Sequence, residues 1–126
     1  MNPVGGVRKI SAGELSPGPS TPGMRRHQAV ATGQVWAGVV HTDPGAFSGW
    51  HHHGEHESVI YVATGALRME SGKQGKDVFD AAPGDFVYVP PHSVHREGNT
   101  TDGVATLVVT RTGRGPSVVN VEGPDA

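Results

Sequence analysis

The chemistry this sequence can offer gathers on its histidines. The segment Gly49 to Gly65 reads GWHHHGEHESVIYVATG. If it enters as a strand, period-2 alternation places His51 and His53 on one face and His52 on the other. Further along, GDFVYVPPHSVHREGN carries a strand into Pro90 and Pro91, turns, and returns with His95 near the start of the next strand. A third imidazole can then converge on the first two. Six of the eight histidines lie between His51 and His95, so the enrichment is positional. Neutral imidazoles suit one divalent transition metal, Fe, Zn, Ni, Mn or Cu, with geometry and availability choosing among them more than affinity. Cysteine is absent, which removes a disulfide framework, a thiolate site and a cysteine nucleophile. Any metal must rest on nitrogen and oxygen.

The elements that would position these side chains read as strands. Between Gln34 and Thr110 come short apolar or alternating runs (QVWAGVVH, SVIYVAT, DFVYVPP, ATLVVT) separated by Gly, Pro and Asp turns, the spacing of an all-β barrel or sandwich. No segment there keeps helical spacing without a Gly or Pro interruption, and the 19 Gly and 10 Pro punctuate the chain too often for long helices. Three parts are expected: a Pro/Gly-rich N-terminal arm over 1–33 with room for one short strand at VRKI, a barrel over 34–112, and a tail over 113–126 whose SVVNV piece can add a strand. The length suits one compact domain and one site. Ten basic residues against 12 acidic ones, scattered along the chain, give a formal charge of -2. That pattern argues against a nucleic-acid or membrane partner. With no signal-peptide core or membrane span legible, a cytoplasmic protein is the default expectation.

At Gly84, Pro90, His95 and Asn99 the spacing resembles the second motif of the cupin superfamily, with His92 where that motif usually has Gly. His51, His53 and Gly65 resemble the first motif, and Gly45 to Gly49 is the turn before it. The resemblance covers about Trp36 to Thr110. It implies a small double-stranded β-helix, the cupin or jelly-roll barrel, with one metal on His51, His53 and His95. It also implies a homodimer paired through sheet edges, which would otherwise need protection.

The departure lies at the fourth ligand. Ser58 stands where the family usually has Glu, and alternation turns Ser58 inward with Ile60 and Val62 while Glu57 points out. Glu57, brought in by a bulge after Gly54, and His56 are the candidate fourth ligands; Ser58 and His92 are candidates for the pocket or for contacts behind the ligands. His52 is expected on the outer face, Arg96 in a salt bridge, Asp85 in a turn. The expected site is therefore open and poor in carboxylates, a strong Lewis acid toward an enolate, carboxylate or diketone. The resemblance implies a metal-dependent enzyme acting on a small oxygenated organic molecule, in the manner of a non-haem dioxygenase. A Lewis-acid isomerase, lyase or cyclase is the near alternative, and a non-catalytic small-molecule-binding cupin is the reading from another class.

Overall fold

The computed structural model describes residues 6–115 and 117–126. Eleven strands follow in chain order among them: β1 (Ser16–Pro17), β2 (Met24–Ala31), β3 (Val35–Thr42), β4 (His51–His52), β5 (Glu57–Thr64), β6 (Leu67–Ser71), β7 (Asp77–Ala81), β8 (Phe86–Val89), β9 (His95–Gly98), β10 (Ala105–Thr112) and β11 (Val119–Asn120). Among the described residues the only helical pieces are 3-10 turns at Ala12–Glu14 and Lys73–Gly75. None is long or apolar enough to cross a membrane.

The strands form two antiparallel sheets, one ordered β1-β2-β3-β10-β5-β8 and the other β11-β4-β9-β6-β7. This is the all-β architecture expected from the turn spacing, and the double-stranded β-helix that the resemblance implies. Period-2 alternation builds the core. On β5, Ser58, Ile60 and Val62 are buried while Glu57, Val59 and Tyr61 are exposed. Val87 and Val89 on β8, and Ala105, Leu107 and Val109 on β10, point the same way. They meet Leu67, Met69 and Ala81 from the second sheet. Each buried Val, Ile, Leu or Met among them contributes on the order of 1.5–3 kcal/mol by leaving water.

Gly65 turns β5 into β6 at φ +78°, and a Cβ there would lie 2.8 Å from the Ala105 backbone. The turn needs both the left-handed backbone and the missing side chain. Asn99 closes β9. It is fully buried, and its Nδ2 donates to Thr42 O at 3.0 Å and Gly103 O at 2.7 Å.

Two boundaries differ from the expected ones. The segment expected to be an arm contains β2, eight residues paired antiparallel along β3, together with the short β1. MRRHQAVA hides its strand character because the register shifts between Gln28 and Val30, which breaks the alternation, and only Met24 is fully buried. Residues 7–10, where VRKI suggested a strand, form none; VRKI finds no partner strand in either sheet. The tail does supply β11, which pairs with β4.

Candidate metal centre

His51 and His95 are direct register partners across β4 and β9, so the sheet itself sets two imidazoles side by side, ring centroids 4.4 Å apart. His53 lies one residue beyond β4 on the same face, its ring 5.0 Å from His51 and 5.2 Å from His95. All three are buried, and one ligand nitrogen from each lies within 4.8 Å of the other two.

Each ring is oriented from behind by a backbone carbonyl. Nδ1–H donates to Gly49 O at 2.8 Å in His51, to Ser117 O at 2.6 Å in His53 and to Ser93 O at 2.9 Å in His95. This pattern leaves every Nε2 as the lone-pair nitrogen, the tautomer a metal requires. Burial, opposed by the Gly49 carbonyl, pushes His51 below its ordinary value. Burial, reinforced by the Arg111 cation, pushes His53 down to about 3. Both rings are neutral at physiological pH. His95 Nε2 is fully buried with no hydrogen-bond partner among the described residues, an arrangement that costs roughly 1–3 kcal/mol unless something electrophilic fills it. The donor set therefore fits a divalent cation.

A carboxylate that sequence reasoning missed stands beside these donors. Glu97 Oε1 is 3.9 Å from His51 Nε2 and 4.0 Å from His95 Nε2, on a side chain only 13% exposed. The site is thus not carboxylate-poor, as expected, because β9 carries an inward carboxylate two residues after its histidine. The signal was present: the alternation that pairs His51 with His53 also pairs His95 with Glu97.

The two candidate fourth ligands are not brought to the triad. Glu57 faces out from β5, as alternation requires, and its Oε2 accepts a 2.7 Å hydrogen bond from the Tyr88 hydroxyl. His56 Nε2 bonds to Gly115 O at 3.0 Å on the cavity wall. Ser58 is buried in that wall, where its Oγ accepts from Arg111 Nε at 3.1 Å. His92 is exposed at φ +58°, a left-handed turn position that suits the usual Gly, and its N–H donates to Gly54 O at 2.8 Å. It thereby ties together the loops that carry the histidines. His52 Nδ1 accepts from the Gly54 N–H, outside the triad. Arg96 pairs with Glu70, and Asp85 caps its turn at Ala82 N, both as expected.

A cavity of about 770 Å³ opens onto the histidines. Ile60, Val89, Leu107 and Val109 make its apolar wall, and His51, His53, Ser58, Glu97 and Arg111 supply polar groups. The cupin domain family matches residues 38–111. The chain belongs to that family. No curated relative matches the sequence. Among solved structures, this cupin is similar to KdgF from Halomonas sp., at 24% identity and TM-score 0.71 over 86% of this chain and 96% of that one. It is similar to a sugar phosphate isomerase from Silicibacter pomeroyi, at 23% identity and TM-score 0.70 over 84% and 76%. It is also similar to Bacillus subtilis oxalate decarboxylase, described with Mn(II) centres, at 23% identity and TM-score 0.71 over 86% of this chain and 30% of that one.

Proposed function

We propose that this cupin is a mononuclear metal-dependent enzyme acting on a small oxygenated organic substrate. The observation that carries the reading is the set of three carbonyl-anchored imidazoles, with His95 Nε2 buried and unpartnered among the described residues and His51 and His53 lining a mostly apolar cavity. His51, His53 and His95 would hold the ion, with Glu97 as the fourth donor. A divalent ion supplies Lewis acidity toward a substrate oxygen. The protein's own contribution is orientation and exclusion of water. The carbonyls of Gly49, Ser93 and Ser117 hold the rings, and Ile60, Val89 and Leu107 shield the reacting region. We read an isomerase, lyase or cyclase reaction ahead of dioxygenase chemistry, with Glu97 beside the histidines suiting either class, since a carboxylate lowers the Lewis acidity of a bound ion and also belongs to Fe(II) sites. The names of the isomerase and decarboxylase relatives are compatible with that choice.

Protein purified without added metal is expected to carry stoichiometric divalent metal by elemental analysis, and His51→Ala and His95→Ala to lose it. Metal retained in both variants would refute the centre. An NMR screen of small oxo and hydroxy acids is expected to show turnover under strict anaerobiosis with Zn(II) or Mn(II). Turnover seen only with Fe(II), accompanied by oxygen uptake, would establish the dioxygenase instead.

We propose further that two copies pair through the outer face of β5, β8 and β10. Phe86, Tyr88, Val59, Tyr61 and Val108 are all exposed there, Phe86 by 71%. Such a contiguous apolar face on an edge strand is the kind that association covers.

A further inference from the structure

We propose that Arg111 is a carboxylate-binding residue, and that the substrate is a small monocarboxylate whose acid group is clamped by Arg111 while its apolar body lies on the wall formed by β5, β8 and β10. The inference deepens the reading of a metal-dependent enzyme and rests on it.

Arg111 comes from the six-stranded sheet, whereas His51, His95 and Glu97 come from the five-stranded one. All of them line the same cavity except His95, which stands directly opposite His51. The guanidinium is partly buried yet has no carboxylate within 4 Å among the described residues. Its one hydrogen bond there is Nε to Ser58 Oγ at 3.1 Å. Trp36 lies against it, with the guanidinium carbon 5.8 Å from the ring centroid, which steadies the plane of the fork. Both Nη groups are left to bond a ligand. A partly buried guanidinium gains from an anion, and its planar pair of donors matches a carboxylate in two parallel bonds.

Charge balance in the cavity points the same way. Glu97 is the only acidic residue on the wall among the described residues, and the other base there, Arg26, directs its Nη1 to Pro19 O and Thr21 Oγ1. Two guanidinium groups, together with a divalent ion once bound, would therefore face a single protein carboxylate. A ligand anion between Arg111 and the histidines corrects that excess. Ser58 is the register partner of Arg111 on β5. It occupies the position where the motif usually has Glu, and a Glu there would pair with Arg111 and occupy its donors.

The test is calorimetric titration of the metal-loaded protein with isobutyrate and benzoate, and with their neutral amides isobutyramide and benzamide. Wild type is expected to bind each acid at least about tenfold more tightly than its amide, the scale of a charge-assisted bond. Arg111→Met is expected to abolish that preference, Arg111→Lys to keep part of it, and Ser58→Glu, which places an internal partner on Arg111, to abolish it with the arginine intact. If Arg111→Met fails to fold, Ser58→Glu against wild type decides the matter. No preference in wild type, or an unchanged preference in Arg111→Met or Ser58→Glu, overturns the proposal. Elemental analysis of the same samples separates the two readings: a preference that depends on Arg111 in protein that holds no metal supports the clamp while refuting the metal centre.

Discussion

Acid should destabilise the metal-free protein through His53, and the size of the effect follows from its surroundings. The imidazole sits at about 3 in the folded state against an ordinary 6.5, because burial and then the Arg111 cation both oppose its protonation. The sign follows from linkage. Unfolded chain takes up a proton as pH falls below about 6.5, and folded protein does not until near 3. The full contribution is therefore present above 6.5 and is lost progressively as pH falls through that window. At about 1.4 kcal/mol per pH unit, a drop from about 6.5 to 4.5 removes roughly 2–3 kcal/mol. His51, also pushed down by burial, acts in the same direction. For a domain whose total stability is on the order of 5–15 kcal/mol this is a large fraction. Urea unfolding of chelator-treated protein at constant ionic strength, followed from pH 7 to 5, is expected to show the falling midpoint, and His53→Gln a markedly shallower fall. A flat midpoint in wild type, or an equal slope in His53→Gln, would refute the reasoning.

Two further outcomes follow from the packing. Asn99→Ala strands the carbonyls of Thr42 and Gly103 and removes the acceptor for Thr101 N–H and Oγ1–H, bonds of 2.9 Å and 2.6 Å. A loss of about 2–4 kcal/mol is expected in chemical denaturation, with metal stoichiometry unchanged. Phe86→Glu places a charge in the exposed face of β8 without touching the cavity. Light scattering after size exclusion is expected to give a dimer for wild type and a monomer for this variant, and a wild-type monomer at micromolar concentration would refute the pairing.

The parts legible in the sequence are those governed by strict alternation. On β5 the run from Glu57 to Tyr61 declares its faces, so Ser58 inside and Glu57 outside were readable before any coordinates. The HxH pair was readable for the same reason. Strand β2 was not, because the shift between Gln28 and Val30 and its half-buried polar side chains erase the period on which the reading depends. Arg111 was hidden differently. Its partner is Ser58, 53 residues away across the pairing of β10 with β5, which no local pattern announces, although period 2 from Ala105, Leu107 and Val109 places Arg111 on their face.

Glu97, Ser58 and Arg111 are best understood together. A carboxylate on β5 would lie opposite Arg111 in the register, and the two would neutralise each other at the cavity wall. With Ser58 in that position, the carboxylate that serves the histidines stands instead on β9, beside His95 and on the other sheet. The hydroxyl of Ser58 orients the guanidinium through Nε without cancelling its charge. The negative group thus remains available to a cation at the histidines, while the positive group faces the cavity with no carboxylate in contact among the described residues and feels Glu97 only from a distance. Separating the charges across the two sheets converts what would be an internal ion pair into two binding functions, one for metal and one for an anion. The Ser58→Glu variant reverses that separation with a single side chain, so it should weaken carboxylate binding while leaving His51, His53, His95 and Glu97 in place.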